Sequence, residues 1–210
     1  MTYKQIQKKF NAGNLAQYIS IKLKNNNNLD NIEFLKCKLG MEVILINFSK
    51  FIIVYGLAFL SGNLYITALS HISYTFIRIN AYGIHSKKNS TCTIVSIILF
   101  VFIPNIFKNV VFSVYIIALI IIFSYWSIYK YAPANTSKNK ISNLNLKKKL
   151  KYRAVIIYTF CIMMYLCTNS NIIRNQIIVG TVIAVISILP ITYKIFKEGE
   201  MKDGKYIKSY

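Results

Sequence analysis

The sequence holds two histidines, His71 and His85, and four cysteines, Cys37, Cys92, Cys161 and Cys167. One pair stands close together in a polar stretch, Arg78-Ile-Asn-Ala-Tyr-Gly-Ile-His85-Ser-Lys-Lys-Asn-Ser-Thr-Cys92. Residues seven apart on one continuous helix share a face but lie about 10 Å apart along its axis. That is too far for a thiol–imidazole hydrogen bond, so the pair can meet only if the intervening chain folds back. The Lys87–Ser90 stretch is polar enough for a turn, and Ser90 or Thr91 would serve as N-cap of a following helix. Cys92 would then sit in the first turn, where the positive end of the helix dipole and a neighbouring imidazole favour the thiolate. Thiolate, adjacent base and helix-end N–H groups are what a cysteine nucleophile needs to attack a carbonyl. By spacing alone, an unrelated His and Cys remains the commoner explanation. Zinc would need a third and a fourth ligand that the stretch does not offer.

Other groups could support such a pair. Glu42 abuts the first apolar block, whereas Asp30, Glu33, Glu198, Glu200 and Asp203 lie in the terminal segments. It could orient His85, or simply be a helix-start carboxylate favoured by the dipole. Arg78 could bind a substrate carboxylate or extend toward lipid headgroups. His71, in mid-block, is expected to make a helix–helix contact. Cys161 and Cys167 lie in apolar sequence where a thiol is inert, and Cys37 is expected to be exposed with no base beside it. The cysteines suggest no disulfide framework.

The elements that must position these groups are written in the hydropathy. Of the 210 residues, 55% are hydrophobic, and they cluster in blocks rather than in periodic stripes. Six blocks fall at about 41–60, 63–80, 92–108, 110–130, 154–170 and 175–195. The formal net charge is +20, from 26 basic and 6 acidic residues. No base-reading motif accompanies that charge, so nucleic acid is not an expected partner. The basic residues instead alternate between gaps: seven precede Gly40, three follow the second block, eight follow the fourth and five follow the sixth. The other gaps hold only Lys108 and Arg174. Because positive loops stay inside, the expectation is an all-α polytopic membrane protein of about six transmembrane helices, one membrane domain, both termini cytoplasmic. Residues 1–24 read as an amphipathic segment, its stripe of Leu15, Ile19 and Leu23 following a break at Gly13, suited to an anionic leaflet. Trp126–Tyr131 reads as an aromatic belt at the cytoplasmic end of the fourth span. The first 40 residues do not read as a cleavable signal peptide.

The Arg78–Cys92 stretch resembles the accessory gene regulator B (AgrB) family of quorum-sensing membrane cysteine endopeptidases, whose hallmark is Arg, a glycine-containing turn, His, and Cys seven residues on. Leu39-Gly40-Met41-Glu42, Asn47 and Tyr131-Ala132-Pro133 add to the likeness, which spans roughly residues 35–155. The family's frequent Gly-Gly before the His is Tyr82-Gly83 here, and its Lys-Pro-Ile is Asn139-Lys140-Ile141. The resemblance implies that Cys92 attacks a peptide carbonyl of a small precursor while His85 moves the proton. The precursor's tail would leave, and a side-chain thiol or hydroxyl would release the remainder as a thiolactone or lactone autoinducing peptide. Expected partners are a small amphipathic precursor with an acidic tail and anionic lipids. A homodimer is compatible with the sequence, and neither metal nor organic cofactor is expected. The rival readings are a small transporter or exporter of a peptide, for which Asn47, His71 and Thr181 are few and scattered polar residues, and a non-catalytic membrane scaffold.

Overall fold

The computed structural model describes residues 12–27, 30–84, 89–135, 141 and 143–196. These are helical throughout apart from connections and one isolated parallel bridge, Tyr82 to Ala134. They divide into two compact units, Met1–Gly56 and Leu57–Tyr210, each described below by itself.

In the first unit, α1 (Ala12–Asn27) is followed by α2 (Asn31–Leu60). Gly13 is the second residue of α1, and the segment on the far side of the expected break lies outside the described residues. The buried positions of α1 are Ala16 and Ser20, one turn apart, while Leu15 stands exposed. The inward face is therefore made of small residues, and the expected stripe is turned partly outward. Residues 1–11 of the amphipathic segment lie outside the described residues. Contacts from Gly13 to Glu42, Gln17 to Lys38 and Lys24 to Phe34 set α1 antiparallel to the first half of α2.

The start of α2 precedes its apolar block by ten residues, and a reciprocal cap explains why. Asp30 Oδ1 accepts the Glu33 N–H at 2.6 Å, and Glu33 Oε2 accepts the Asp30 N–H at 3.1 Å. This capping box satisfies two otherwise unpartnered donors and sets two carboxylates at the positive helix end. A helix of 30 residues is about 45 Å long, more than the about 30 Å hydrocarbon core.

The second unit comprises α3 (Leu64–Ala81), α4 (Asn89–Ile97), a π-helical segment Ile98–Phe102, α5 (Ile103–Phe107), α6 (Val114–Tyr131), α7 (Leu144–Cys167), α8 (Asn171–Ile188) and α9 (Pro190–Ile195). The apolar blocks of the sequence reappear as α2, α3, α4 through α5, α6, α7, and α8 with α9. Four of these helices, α2, α6, α7 and α8, are long and apolar enough to cross a membrane, and a shorter apolar stretch covers Thr91–Phe107. The helix α3 is not among the four. Its buried face is Thr67, Ser70, Ser73, Ile77, Asn80 and Ala81, while Ile72, Phe76 and Ile79 point outward. Small polar groups inside and large apolar groups outside reverse the soluble pattern and suit a helix that meets lipid.

That small face lets α3 pack closely against α8. A Cβ added at Gly180 would overlap the Ser70 carbonyl oxygen and come 2.9 Å from Ser73 Cβ. The hydroxyls of Ser70, Ser73 and Thr181 return to carbonyls of their own helices, so they do not obstruct the approach. Gly180 beside Ser70 and Ser187 beside Arg78 make the crossing parallel. Gly180→Ala is therefore expected to destabilise the protein by about 3 kcal/mol, the upper end of ordinary overpacking. Thermal unfolding in detergent checks this against Gly56→Ala, whose added methyl meets nothing within 4 Å. Equal midpoints for the two variants would contradict this close packing.

Two polar knots fix the ends of the second unit. At one, Asn175 Nδ2 donates to the carbonyls of Phe107, Lys108 and Val110 at 2.9, 3.3 and 2.8 Å, and Gln176 Nε2 donates to Pro104 at 3.1 Å. These side chains cap the end of α5 from outside, supplying donors for carbonyls that a terminating helix leaves unpaired. The π turn just before has a local cause. Pro104 has no N–H for the Phe100 carbonyl and its ring crowds it. The Ile103 N–H accordingly reaches back five residues to Ile98. The other knot lies at the opposite end of α3 and α8, and it carries the candidate site.

Candidate active site at the Tyr82 end of the bundle

The chain leaves α3 at Ala81 and turns through Tyr82, Gly83 and Ile84 toward His85. Tyr82 has φ 57° and Gly83 φ 116°. Both are in the region that favours glycine. For Tyr82 the conformation is strained by about 1–3 kcal/mol, and the surrounding contacts hold it there.

Those contacts come from three elements. Arg78 Nη1 donates to Ser187 Oγ at 2.6 Å, and Nη2 donates to the carbonyls of Gly83, at 3.1 Å, and of Ile84. The Ile84 N–H donates to the Ser187 carbonyl at 3.0 Å. The connection after α6 supplies the third element. The Gly83 N–H donates to the Ala134 carbonyl at 3.3 Å, and the Ala134 N–H to the Ala81 carbonyl at 2.9 Å. Gly83 cannot be replaced cheaply, because an added Cβ would lie 2.5 Å from Arg78 Nη1 and 2.7 Å from the Ser187 carbonyl oxygen.

Arg78 lies where it can support the turn that leads to His85. Its guanidinium is half-buried, stands 5.8 Å over the Tyr74 ring, and spends its donors on the turn that leads to His85. A planar fork with five donors suits that task better than an ammonium would.

His85 lies outside the described residues. The helix α4 begins at Asn89, before both expected caps, so Ser90 and Thr91 are helical residues rather than N-caps. Cys92 is still in the first turn, as its fourth residue, half-buried and in no disulfide. The Cα–Cβ bond of a helical residue tilts toward the N-terminus, so the thiol leans toward the start of α4. Glu42 sits three turns inside α2, not at a helix start, with its carboxylate beside Gly13. The dipole role imagined for it belongs to Asp30 and Glu33. Among the described residues, no cluster of His, Cys, Asp and Glu could hold a metal ion.

The remaining candidates take structural places. His71 packs its ring 4.4 Å from that of Phe100 in the π-helical segment, which is a helix–helix contact. Cys161 is buried, but Cys167 ends α7 and is exposed, and Cys37 is half-buried rather than exposed. Trp126 is half exposed, with Lys130 4.5 Å above its ring, while Lys151 lies 3.9 Å over Tyr129. That placement fits an interfacial belt. Ser187, Ala134 and Tyr193 were not singled out in the sequence. Ser187 sits in an apolar block, and Ala134 acts through its backbone. The one available hint was the neighbouring Tyr131-Ala132-Pro133.

Comparison with known proteins fits this geometry. Residues 14–188 match the sequence profile of accessory gene regulator B. The chain belongs to the AgrB family. A putative AgrB-like protein of Clostridium acetobutylicum is 32% identical over 196 residues, covering 93% of this chain and 90% of its own. One from Listeria innocua is 36% identical, over 82% of this chain and 85% of its own. The accessory gene regulator protein B of a bovine Staphylococcus aureus strain is 38% identical, over 81% and 90%. No solved structure matches the chain. Membership of the AgrB family, with four helices able to cross a membrane, makes this a membrane protein and implies a part in the accessory gene regulator quorum-sensing system.

Proposed function

We propose that this chain is a six-span membrane cysteine endopeptidase that trims the C-terminal tail of a small precursor peptide and promotes its cyclisation. The observation that carries the reading is the Tyr82 end itself: a half-buried cysteine in the first turn of α4, with the peptide leading into His85 pinned at the same end of the bundle. Cys92 Sγ attacks the scissile carbonyl, and N–H groups of the first turn of α4 receive the oxyanion. His85 takes the thiol proton and returns it to the departing amine, so the tail leaves as a free peptide and the rest remains as an acyl thioester. A thiol or hydroxyl of the precursor then attacks that thioester, frees Cys92 and closes the ring. Exchange of one thioester for another is nearly isoenergetic. Amide-to-thioester conversion is uphill, so the sequence runs forward only when its products are removed. Arg78 acts here on the catalytic turn, and the +20 charge suits an acidic precursor tail and anionic lipids.

The orientation follows from charge. The turn after α3, the connection after α6 and the junction of α8 with α9 meet at one end. They adjoin the lysine-rich gaps, which supports that end as the cytoplasmic one. A peptide exporter is the second reading, since α3 and α8 bring together more polar residues than the sequence suggested. Their hydroxyls bond within their own helices and serve packing, which favours the enzyme.

Both parts of the proposal can be tested in cells. Co-expression with a tagged precursor should release its tail only when Cys92 is present; release that ignores Cys92 sinks the enzyme. In a cysteine-free background, an impermeant thiol reagent should label a cysteine at exposed Ser61 and miss cysteines at Ser86, Ser142 and Lys205. Each Lys or Arg carried to the bilayer centre costs roughly 2.5–3.5 kcal/mol. Equal labelling at Ser61 and Ser86 would refute the topology.

A further inference from the structure

We propose that Ser187 and Tyr193 are positioning residues that latch the Tyr82–Ile84 turn, and through it His85, in its working geometry. The inference rests on the endopeptidase reading but adds residues that neither chemistry nor motif assigns. Tyr193 lies beyond the 14–188 segment that matches the family.

Ser187 makes two different contacts with the turn. Its hydroxyl donates to the Ala184 carbonyl at 2.6 Å and accepts from Arg78 Nη1 at 2.6 Å, so it fixes the guanidinium that reaches the Gly83 and Ile84 carbonyls. Its carbonyl separately receives the Ile84 N–H. Ile84 is thereby held at both its amide and its carbonyl. The Ile84 carbonyl belongs to the planar peptide unit through which the chain leaves the turn, so the direction of that exit is fixed at Ile84. Removing the hydroxyl would leave a guanidinium N–H without its charge-assisted partner in a half-buried place.

Tyr193 works on the other side of the same turn. It is fully buried on α9, and its hydroxyl donates to the Ala134 carbonyl at 3.3 Å, the same oxygen that receives the Gly83 N–H. The short helix α9 is set against α8 by the Leu189 N–H to the Ile186 carbonyl and by the Thr192 hydroxyl to the same oxygen. The end of α8 and the start of α9 therefore act as one latch with two teeth. One tooth holds the turn through Arg78 and the other through Ala134.

The test uses the full chain with Cys37, Cys161 and Cys167 replaced by alanine, in lipid–detergent micelles. Two measurements are made on Ser187→Ala and on Tyr193→Phe, which removes one oxygen and keeps the ring. One is cleavage of a tagged precursor, and the other is the rate of Cys92 alkylation by a maleimide against pH, which needs no precursor. Cleavage is expected to slow about tenfold in Ser187→Ala and about threefold or more in Tyr193→Phe. In both, Cys92 alkylation at neutral pH should slow about threefold or more, and the difference from the parent should shrink as the pH is raised. If Ser187→Ala fails to accumulate, Tyr193→Phe carries the test alone. Unchanged cleavage, or slowed cleavage with an unmoved alkylation profile, overturns the latch. If the parent shows no Cys92-dependent cleavage yet the alkylation profile moves in the variants, the endopeptidase reading fails and the latch stands.

Discussion

Replacing Cys92 by alanine is expected to reduce precursor cleavage by at least about 10⁴-fold, the scale seen when a covalent nucleophile is removed. The protein should still accumulate in the membrane. Cys92 is half-buried in the first turn of α4, and alanine is the better helix former there. The cost in stability should stay within about 0.5 kcal/mol. Tail release from a tagged precursor, normalised to membrane-bound protein, measures both quantities. Substantial cleavage by Cys92→Ala with Cys161 and Cys167 also removed would show that another group does the chemistry.

The second large effect is expected from His85→Ala. Without the imidazole, the helix dipole alone must favour the thiolate, and Cys92 has no base beside it to take its proton. At neutral pH the thiolate fraction falls, and the departing amine also loses its acid. Cleavage should drop by about 10²-fold or more. The same variant should react more slowly with an alkylating reagent at pH 7, and the difference should shrink as the pH rises. Equal alkylation rates across the pH range would mean that His85 does not activate Cys92.

Much of the architecture was legible because the bilayer writes it in composition. The apolar blocks became helices with boundaries moved by local chemistry: Asp30 and Glu33 pull the start of α2 ten residues upstream, and α4 begins before Ser90. His85 and Cys92 were singled out because they set a base and a thiol seven residues apart in a polar connection, and the family resemblance gave that spacing its weight. What stayed hidden was the scaffold around the turn. Ser187 and Tyr193 are 109 and 115 residues from Arg78 and have ordinary identities for their segments. Their importance comes from a parallel α3–α8 crossing, which hydropathy does not specify. The partners of Arg78 were hidden for the same reason: they are carbonyls and a hydroxyl, and backbone groups leave no trace in sequence. Of the small-residue face of α3 and α8 only Thr181 was noticed, as one scattered polar residue, because Ser, Thr and Gly signal close packing only once the two helices are set together.

The central claim is that the precursor passes through a thioester on Cys92. It is tested most directly with a precursor whose ring-forming cysteine or serine is replaced by alanine, so that the acyl group has no internal acceptor. The protein is incubated with this precursor, quenched in acid and measured by intact mass spectrometry. The account predicts a gain equal to the N-terminal part of the precursor less one water, confined to the peptide containing Cys92 and removed by hydroxylamine. Release of the tail with no mass added to the protein would contradict it.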